Sequence, residues 1–440
     1  MMEAMPFRLP LYLPAQGASE TEATIIEWLV VEGDRFHKGQ SLAQIDSAKS
    51  VFDFEAPCDG MVIRRFFLEG ESLPLATPIM EIESSDVAMR DWIPPVAAAE
   101  HVIAPVASAV HAPPPPATAD SVVILGIGGY LPRRVVTNAE LVAAFPEISE
   151  EYVYQVTGIR ERRWADDDEK PSDMAYRAAL EAIRKSGIDH KDIDAIVLAT
   201  TTPDMAMPST AAILQDRLNL PMIPAFDLNA ACSGWLYAVS VARGLILSGV
   251  AHNVLTVGVD MQSRLLDAAD RSAYLIFGDG AGAAIVSRSE SGHRIHQVQL
   301  GTDTRGLRMA RREEPGYTIR NGHATADPWI RIDGQALFRF ATESFSNLIR
   351  ESIHKSGWTI EQTRWIVPHQ ANGRILKAAA KRGNLPFDRF YLNIERVGNT
   401  SSASIPLALI DIEESLRQGD KLILCSVGAG MTTAAISVEW

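Results

Sequence analysis

The chain has 440 residues, 47% hydrophobic and 22% charged, a composition that describes a globular protein with apolar material for more than one core. Its formal net charge of −14 argues against nucleic acid or an anionic membrane as the principal partner, because neither attracts a polyanion. Cys58, Cys232 and Cys425 are too few for a disulfide framework, no apolar run reaches the roughly 20 residues of a membrane helix, and Glu3 stands where a secretory signal would be cationic, so the cytoplasm is the expected compartment.

The first segment, 1–90, carries an internal repeat. Glu32-Gly33-Asp34 recurs as Glu69-Gly70-Glu71, and the same step carries Leu29 to Phe66, Val31 to Leu68, Leu42 to Ile79 and Ile45 to Ile82. Two similar β-halves are implied. Apolar runs at Ile25 to Val31 and Met61 to Leu68, bounded by glycine-containing turns, predict strands, and no long helix is expected here. Lys49 lies near the midpoint, where a hairpin apex would expose it. The stretch EWLVVEGDRFHKGQSLAQIDSAKSVFDFEAPCDGMV resembles biotinyl/lipoyl carrier domains, small all-β barrels, over most of residues 8–84. The resemblance implies lipoate or biotin in amide linkage on Lys49. Lipoyl domains commonly place an acid before that lysine, whereas Ala48 stands here and the nearest acid, Asp46, lies further back. A lipoyl arm is the expectation, and an unmodified docking lysine the alternative. Residues 91–119 are rich in Ala and Pro without amphipathic periodicity, which predicts an extended linker; its stretch from Pro94 to Ala119 would reach roughly 80 Å if fully extended at ~3.1 Å per residue.

From 120 to 440 the pattern changes to alternating strands and helices. Strand-like runs at Val122 to Gly126, Ala195 to Thr200, Asn253 to Gly258 and Gly282 to Ser287 alternate with helix-like runs at Asp173 to Ser186, Thr210 to Leu218 and Leu236 to Ser248. A further helix, strand and helix series from Gln335 to Trp440 repeats the plan, so two related halves in α/β layers are expected. The run Gly278-Asp279-Gly280-Ala281-Gly282 leads into the strand-like AAIVS, whereas a phosphate loop opens a helix, so a structural role is expected.

Ile223 to Leu228 reads as a buried strand, followed by AACSG and a helix, which places Cys232 at a helix N-terminus. Unpaired N–H groups there favour a thiolate and lower the thiol pKa, so a nucleophile stands beside the inert core cysteine as an equal reading at this point. His369 ends a strand in VPHQAN, and Asn399 lies in ERVGNTSS before small hydroxyl residues. Together they offer a thiolate to hold an acyl group and two N–H donors to polarise a thioester oxygen. The same order of Cys, His and Asn also occurs in unrelated cysteine proteases.

The combined motifs GIGGYLPRRVVTNAEL, VTGIRER, AACSG, IFGDGAGAA, VPHQAN and GNTSSASIP closely resemble β-ketoacyl-acyl carrier protein synthase III, a thiolase-fold family, over nearly all of 121–440. The resemblance implies an acyltransferase of fatty acid biosynthesis with a layered αβαβα fold and no metal. Cys232 would accept an acyl primer, and His369 and Asn399 would hold the malonyl thioester during decarboxylation. The backbone amides of Cys232 and Ala429 would form the oxyanion hole. Cys425 lies one residue out of register with the second cysteine of related thiolases, where Ser426 aligns, and one step along a strand reverses the face. The coenzyme A contacts of the family fall at Tyr152, Val156 and Arg271; the first two depart from its Trp and Arg, and Arg271 remains. Met207 matches a residue that floors the partner's acyl pocket across a homodimer, with an ordinary core methionine as the alternative. Arg339, Arg374, Lys381 and Arg382 match positions that dock acyl carrier protein, the last three at helix-compatible spacing. The expected reaction is decarboxylative condensation of an acyl primer, on coenzyme A or another thioester, with malonyl-acyl carrier protein. The alternatives are a catalytically retired thiolase-fold scaffold and a specialised-metabolite acyltransferase.

Overall fold

The computed structural model describes residues 6–13, 22–47, 51–67, 69–74, 78–89, 121–313, 319–320, 323–324 and 326–440; Lys49 and the predicted linker over 91–119 lie outside them. The chain divides into two compact units, Met1–His111 and Ala112–Trp440.

The first unit is a pair of four-stranded sheets. One takes the order Phe7–Tyr12, Pro78–Ser84, Gly60–Arg65 and Arg35–Phe36, and the other Val51–Glu55, Ser41–Ser47, Glu22–Trp28 and Ser72–Pro74. The repeat appears in both core and turns. Leu42, Ile45, Ile79 and Ile82 are fully buried in one cluster, and Gly33 and Gly70 take φ of +96° and +83°, a conformation open to glycine. Three of the repeated apolar positions, Leu29, Val31 and Phe66, do not share that core and are exposed; Trp28 and Val30 are buried beside the first two, so the alternation of the chain turns Leu29 and Val31 outward. Among the described residues the one helical element of this unit is the 3₁₀ turn Val87–Met89.

The second unit is built on nine strands: β1 Val122–Tyr130, β2 Ala195–Ala199, β3 Ala225–Leu228, β4 Asn253–Met261, β5 Asp279–Arg288, β6 His293–Thr302, β7 Thr363–Pro368, β8 Lys421–Val427 and β9 Thr432–Glu439. They pair in the order β3-β2-β4-β5-β1-β6-β9-β8-β7. Six helices cover them: α1 Pro171–Ser186, α2 Thr210–Arg217, α3 Gly234–Leu247, α4 Gly334–Lys355, α5 Gly373–Gly383 and α6 Ser404–Ile412.

Strand alternation sorts the layers. In β2, Ala195, Val197 and Ala199 pack with Trp235 and Val239 of α3 and Leu409 of α6, while Ile196 and Leu198 face Met174 of α1 and Leu214 of α2. In β8, Leu422 and Leu424 join the same central cluster, while Ile423 and Cys425 face Phe345 of α4 and Leu376 of α5. Helices α3 and α6 therefore lie between strands of both halves, with α1 and α2 outside one half and α4 and α5 outside the other. This is the expected five-layer thiolase-like arrangement.

The predicted strand Ile223 to Leu228 is shorter, Ala225–Leu228, and only half-buried, because β3 is the sheet's edge and lacks a neighbour on one side. The Gly278 run opens β5 as expected. Strands β3, β2 and β4 are mutually parallel, as are β7 and β8. Their C-terminal ends lead into the segments that carry Cys232, Thr201, Gln262, His369 and Ala429, so strand ends from the two halves present the chemistry.

Candidate active site

After β3, Asn229 Oδ1 accepts the Ala231 N–H at 3.1 Å and Ala231 takes φ of +48°. Cys232 then sits in a single 3₁₀ turn, Ala231–Ser233, one step ahead of the helix that begins at Gly234. The turn is clamped from β8 and β9. Thr432 Oγ1 donates to the Ala230 carbonyl at 2.8 Å, Ser426 Oγ to the Cys232 carbonyl at 3.0 Å, and Ser233 Oγ to Ser426 Oγ at 3.2 Å. Gly428 makes this approach possible: a Cβ there would stand 2.9 Å from the Cys232 nitrogen and 3.0 Å from that of Ser233.

The expectation of a lowered Cys232 pKa is corrected by the packing. Burial pushes the thiol up to about 11, against the opposing hydrogen bonds from Ser401 Oγ, at 3.6 Å, and from the backbone N–H groups of Cys232 and Ala429. Desolvation outweighs the local N–H donors because the site is enclosed. Cys232 and Ala429, from opposite halves of the fold, both line the cavity beside the thiol, which makes their amides the candidates for an oxyanion hole. Cys425 points the other way, into the apolar cluster under α4 and α5, where burial raises its thiol pKa further still.

His369 follows β7 and is 1% exposed, and burial drives its pKa down to about 3, so the ring is neutral. Its Nδ1 lies 2.7 Å from Ser404 Oγ, whose lone pair takes the Gln370 N–H at 3.4 Å. With the serine hydrogen pointed at Nδ1, Nε2 carries the ring's N–H, and this is the tautomer a donor to a thioester oxygen requires. Asn399 is oriented by the same logic. Its Oδ1 accepts the Ser401 N–H at 2.9 Å and its Nδ2 donates to the Ala371 carbonyl at 3.4 Å, leaving the second amide hydrogen for a ligand.

Cys232, His369, Asn399 and Ala429 line one cavity of about 570 Å³, together with Phe338 of α4 and Ile375 of α5. The remaining sequence candidates lie elsewhere. Tyr152 is exposed on the helix Glu150–Thr157, Val156 gives its carbonyl to Asn372 Nδ2 at 3.1 Å, and Arg271 pairs with Glu147 at 3.3 Å; none lines the cavity. Met207 is 82% exposed, which excludes the core-methionine alternative within this chain. Arg374, Lys381 and Arg382 are exposed on α5 and Arg339 on α4, with Arg382 placed 3.5 Å from Glu343. The sequence reading missed Ser401, Ser404, Thr201, Gln262 and the exposed Lys377 of α5. The run of hydroxyls in GNTSSASIP carried a signal for the first two, whereas Thr201 and Gln262 have none outside the fold. Among the described residues no group of three or more His, Cys, Asp or Glu is placed to hold a metal, and no helix is long and apolar enough to cross a membrane.

Comparison with known proteins matches residues 226–304 to the model of 3-oxoacyl-[acyl-carrier-protein] synthase III, 353–440 to that of its C-terminal part, and 10–82 to that of the biotin-requiring enzymes. The chain is 39% identical to a β-ketoacyl-[acyl-carrier-protein] synthase III of Clostridium beijerinckii over 323 residues, covering 73% of this chain and 99% of that protein. Another, from Laribacter hongkongensis, is 41% identical over 312 residues, 70% of this chain and 95% of its own length. Among solved structures, a 3-oxoacyl-[acyl-carrier-protein] synthase III from Aquifex aeolicus matches with TM-score 0.67 and 37% identity, over 72% of this chain and 100% of that one. The priming β-ketosynthase of the R1128 polyketide pathway matches with TM-score 0.68 and 32% identity, over 72% of this chain and 96% of its own.

The neutral His369 has a consequence for stability. A folded pKa of about 3, below the ordinary 6.5, means that its contribution is complete above pH 6.5 and is lost as pH falls toward 3. Acidification across that window therefore costs the native protein up to about 1.4 kcal/mol per pH unit more than it costs His369→Gln. Urea unfolding of both proteins at several pH values measures the difference in slope, and parallel slopes would show that the ring is not held neutral.

Proposed function

The chain belongs to the β-ketoacyl-[acyl-carrier-protein] synthase III family, and from that premise we propose that Cys232, His369 and Asn399 carry out its decarboxylative condensation. The observation that carries this reading is a single cavity lined by Cys232, His369, Asn399 and Ala429, which brings the thiol, the two N–H donors and the candidate oxyanion-hole amides together. In the first half-reaction Sγ attacks the primer thioester carbonyl, and the two amides hold the oxyanion. Collapse expels the primer's thiol, which leaves with the proton that Cys232 gives up. In the second, the bond from the malonyl methylene to its carboxylate breaks and carbon dioxide departs. The electron pair moves to the thioester enolate, whose oxygen meets Nε2–H of His369 and Nδ2–H of Asn399. That carbon attacks the acyl-cysteine, the same amides hold the second oxyanion, and the released Cys232 thiolate takes up a proton. A neutral imidazole suits this role, since it donates without surrendering a full charge to the enolate.

A carrier docking on α5 brings its thioester to the cavity mouth, because that helix supplies Ile375 to the lining and Arg374, Lys377, Lys381 and Arg382 to the surface. Within a chain of net charge −14 this local positive face steers an acidic acyl carrier protein. A homodimer is supported by the half-buried edge strand β3 and by the exposed Met207 and Met222, the latter 96% exposed, since an apolar sheet edge is ordinarily covered.

Lipoate on Lys49 is supported by the match of 10–82, since Lys49 falls in sequence between the paired strands Ser41–Ser47 and Val51–Glu55 of the matched region. When bound, its dihydrolipoyl thiol carries an acyl group as a thioester. The linker over 91–119 holds such a group at an effective concentration around the millimolar range when its reach matches the span. Tethering compensates for the departures at the coenzyme A positions Tyr152 and Val156, where the family's Trp and Arg are replaced, while Arg271 keeps the family's residue.

Cys232→Ala is expected to abolish condensation while leaving malonyl decarboxylation, and His369→Ala or Asn399→Ala to keep acyl transfer while losing about 10²–10³-fold in decarboxylation. Radiolabelled carbon dioxide release and intact mass of the acyl-enzyme separate the two, and normal product from Cys232→Ala would sink the mechanism. Reversing the charges of Arg374, Lys381 and Arg382 is expected to raise KM for malonyl-acyl carrier protein with little change in kcat, as steady-state kinetics at low salt would register. Finally, intact mass of protein from its native host is expected to show a lipoyl increment on Lys49. Lys49→Ala should lower turnover at primer concentrations below KM without altering Cys232 acylation by concentrated acyl-coenzyme A.

A further inference from the structure

The Cys232 cavity has a directed chain of hydrogen bonds in its wall. Thr201 follows β2 and Gln262 follows β4, the two strands parallel to the one that leads to Cys232, and both residues line the cavity. Asp260 Oδ1 accepts the Thr201 N–H and the Thr201 hydroxyl, each at 2.7 Å. The hydroxyl's single hydrogen is thereby spent, so Thr201 Oγ1 meets Gln262 as an acceptor only. Gln262 accordingly turns its amide nitrogen to it, with Nε2 at 2.8 Å. That choice leaves the carboxamide oxygen, Oε1, without a hydrogen-bond donor among the described residues, on a side chain that is 4% exposed and borders the cavity.

Open to the cavity, Oε1 takes its hydrogen bond from solvent until a ligand displaces it. An apolar acyl tail laid against it would drive off that water and leave the oxygen without a donor, whereas a hydroxyl would replace the lost bond. The neighbouring lining, Leu265, Ile276 and Phe277, is apolar, so the wall as a whole fits a carbon chain bearing one donor. Arg311 and Arg312 line the same cavity and disfavour an ammonium donor, and a carboxylate would face the Oε1 lone pairs with Asp260 behind them.

We propose that the primer accepted by Cys232 is a hydroxyacyl group whose O–H donates to Gln262 Oε1, and that Gln262 is the residue selecting it. The proposal rests on the reading of Cys232 as the acyl carrier. The test follows acylation of Cys232 by intact mass, and its kcat/KM, in the full-length protein. The donors are butyryl-, 3-hydroxybutyryl-, 4-hydroxybutyryl-, 4-aminobutyryl- and succinyl-coenzyme A. The native enzyme is expected to favour one of the hydroxyacyl donors over butyryl by roughly 10-fold or more, and Gln262→Leu and Gln262→Met to reduce that ratio to about 2 or less. Equal rates with butyryl and both hydroxyacyl donors, a preference that survives in both variants, or a preference for the amino or carboxyl donor would each overturn it. The native-enzyme comparison stands even if a variant fails to fold. Failure of every donor to acylate Cys232 overturns the acyl-carrier reading as well, while acylation without discrimination overturns this inference alone.

Discussion

Asp260 is a fully buried carboxyl whose hydrogen bonds join the two halves of the active site. Oδ1 holds the Thr201 backbone and hydroxyl, while Oδ2 accepts the Ser402 N–H at 3.0 Å and the Ser402 hydroxyl at 2.7 Å. Thr201 belongs to the loop after β2, and Ser402 to the turn that carries Asn399 and Ser401 toward Cys232. One residue thus sets the spacing between the nucleophile's half of the fold and the half that holds His369. Two of its four short bonds come from backbone N–H groups, whose direction no rotamer can change, so the geometry is stiff. Gly258, two residues earlier on the same strand, is needed for the close approach: a Cβ there would meet the Ser402 carbonyl oxygen at 2.6 Å.

Enclosure then decides the electrostatics. The same burial that raises the Cys232 thiol also keeps His369 neutral, so the resting site holds two uncharged partners rather than a thiolate and an imidazolium. Charge appears in the reaction only where fixed N–H donors wait for it, and donors in a site of low dielectric stabilise it more strongly than water would. Ser404 and Asn399 Oδ1 matter for this reason. Ser404 Oγ holds the His369 ring through Nδ1, and Asn399 Oδ1, by accepting the Ser401 N–H, turns its own amide nitrogen to the other side.

The amino-terminal unit rests on a different economy. Its repeated turns and its repeated buried aliphatics make a small β-core without helical support, and Leu29, Val31 and Phe66 are left exposed. Trp28 marks a strand end, with its indole N–H donated to the Phe67 carbonyl at 3.1 Å and its backbone N–H to Glu69 Oε1 at 3.0 Å. The Glu69 of the second repeat thus holds the strand end of the first.

Much of this was legible along the chain, because local pattern carries it. The alternation of strands and helices, the glycine turns of the repeat, the placement of Cys232 and His369 after strand ends, and that of Asn399 after a glycine and before small hydroxyl residues all arise from short-range periodicity and turn chemistry. The face assigned to Cys425 was legible for the same reason, since a strand's period of two separates it from Ser426. What only the tertiary structure decided depends on neighbours distant in sequence. The thiol pKa reversed sign because enclosure by both halves outweighs the turn's own donors. Leu29 and Val31 are exposed despite an apolar run because the core lies on one side of the chain, where Trp28 and Val30 are buried. The free oxygen of Gln262 exists only because Asp260 consumes the hydrogen of Thr201, a residue 61 positions away from that glutamine. Sequence proximity governs backbone conformation, whereas desolvation and the direction of a hydrogen-bond chain are properties of groups that meet in space.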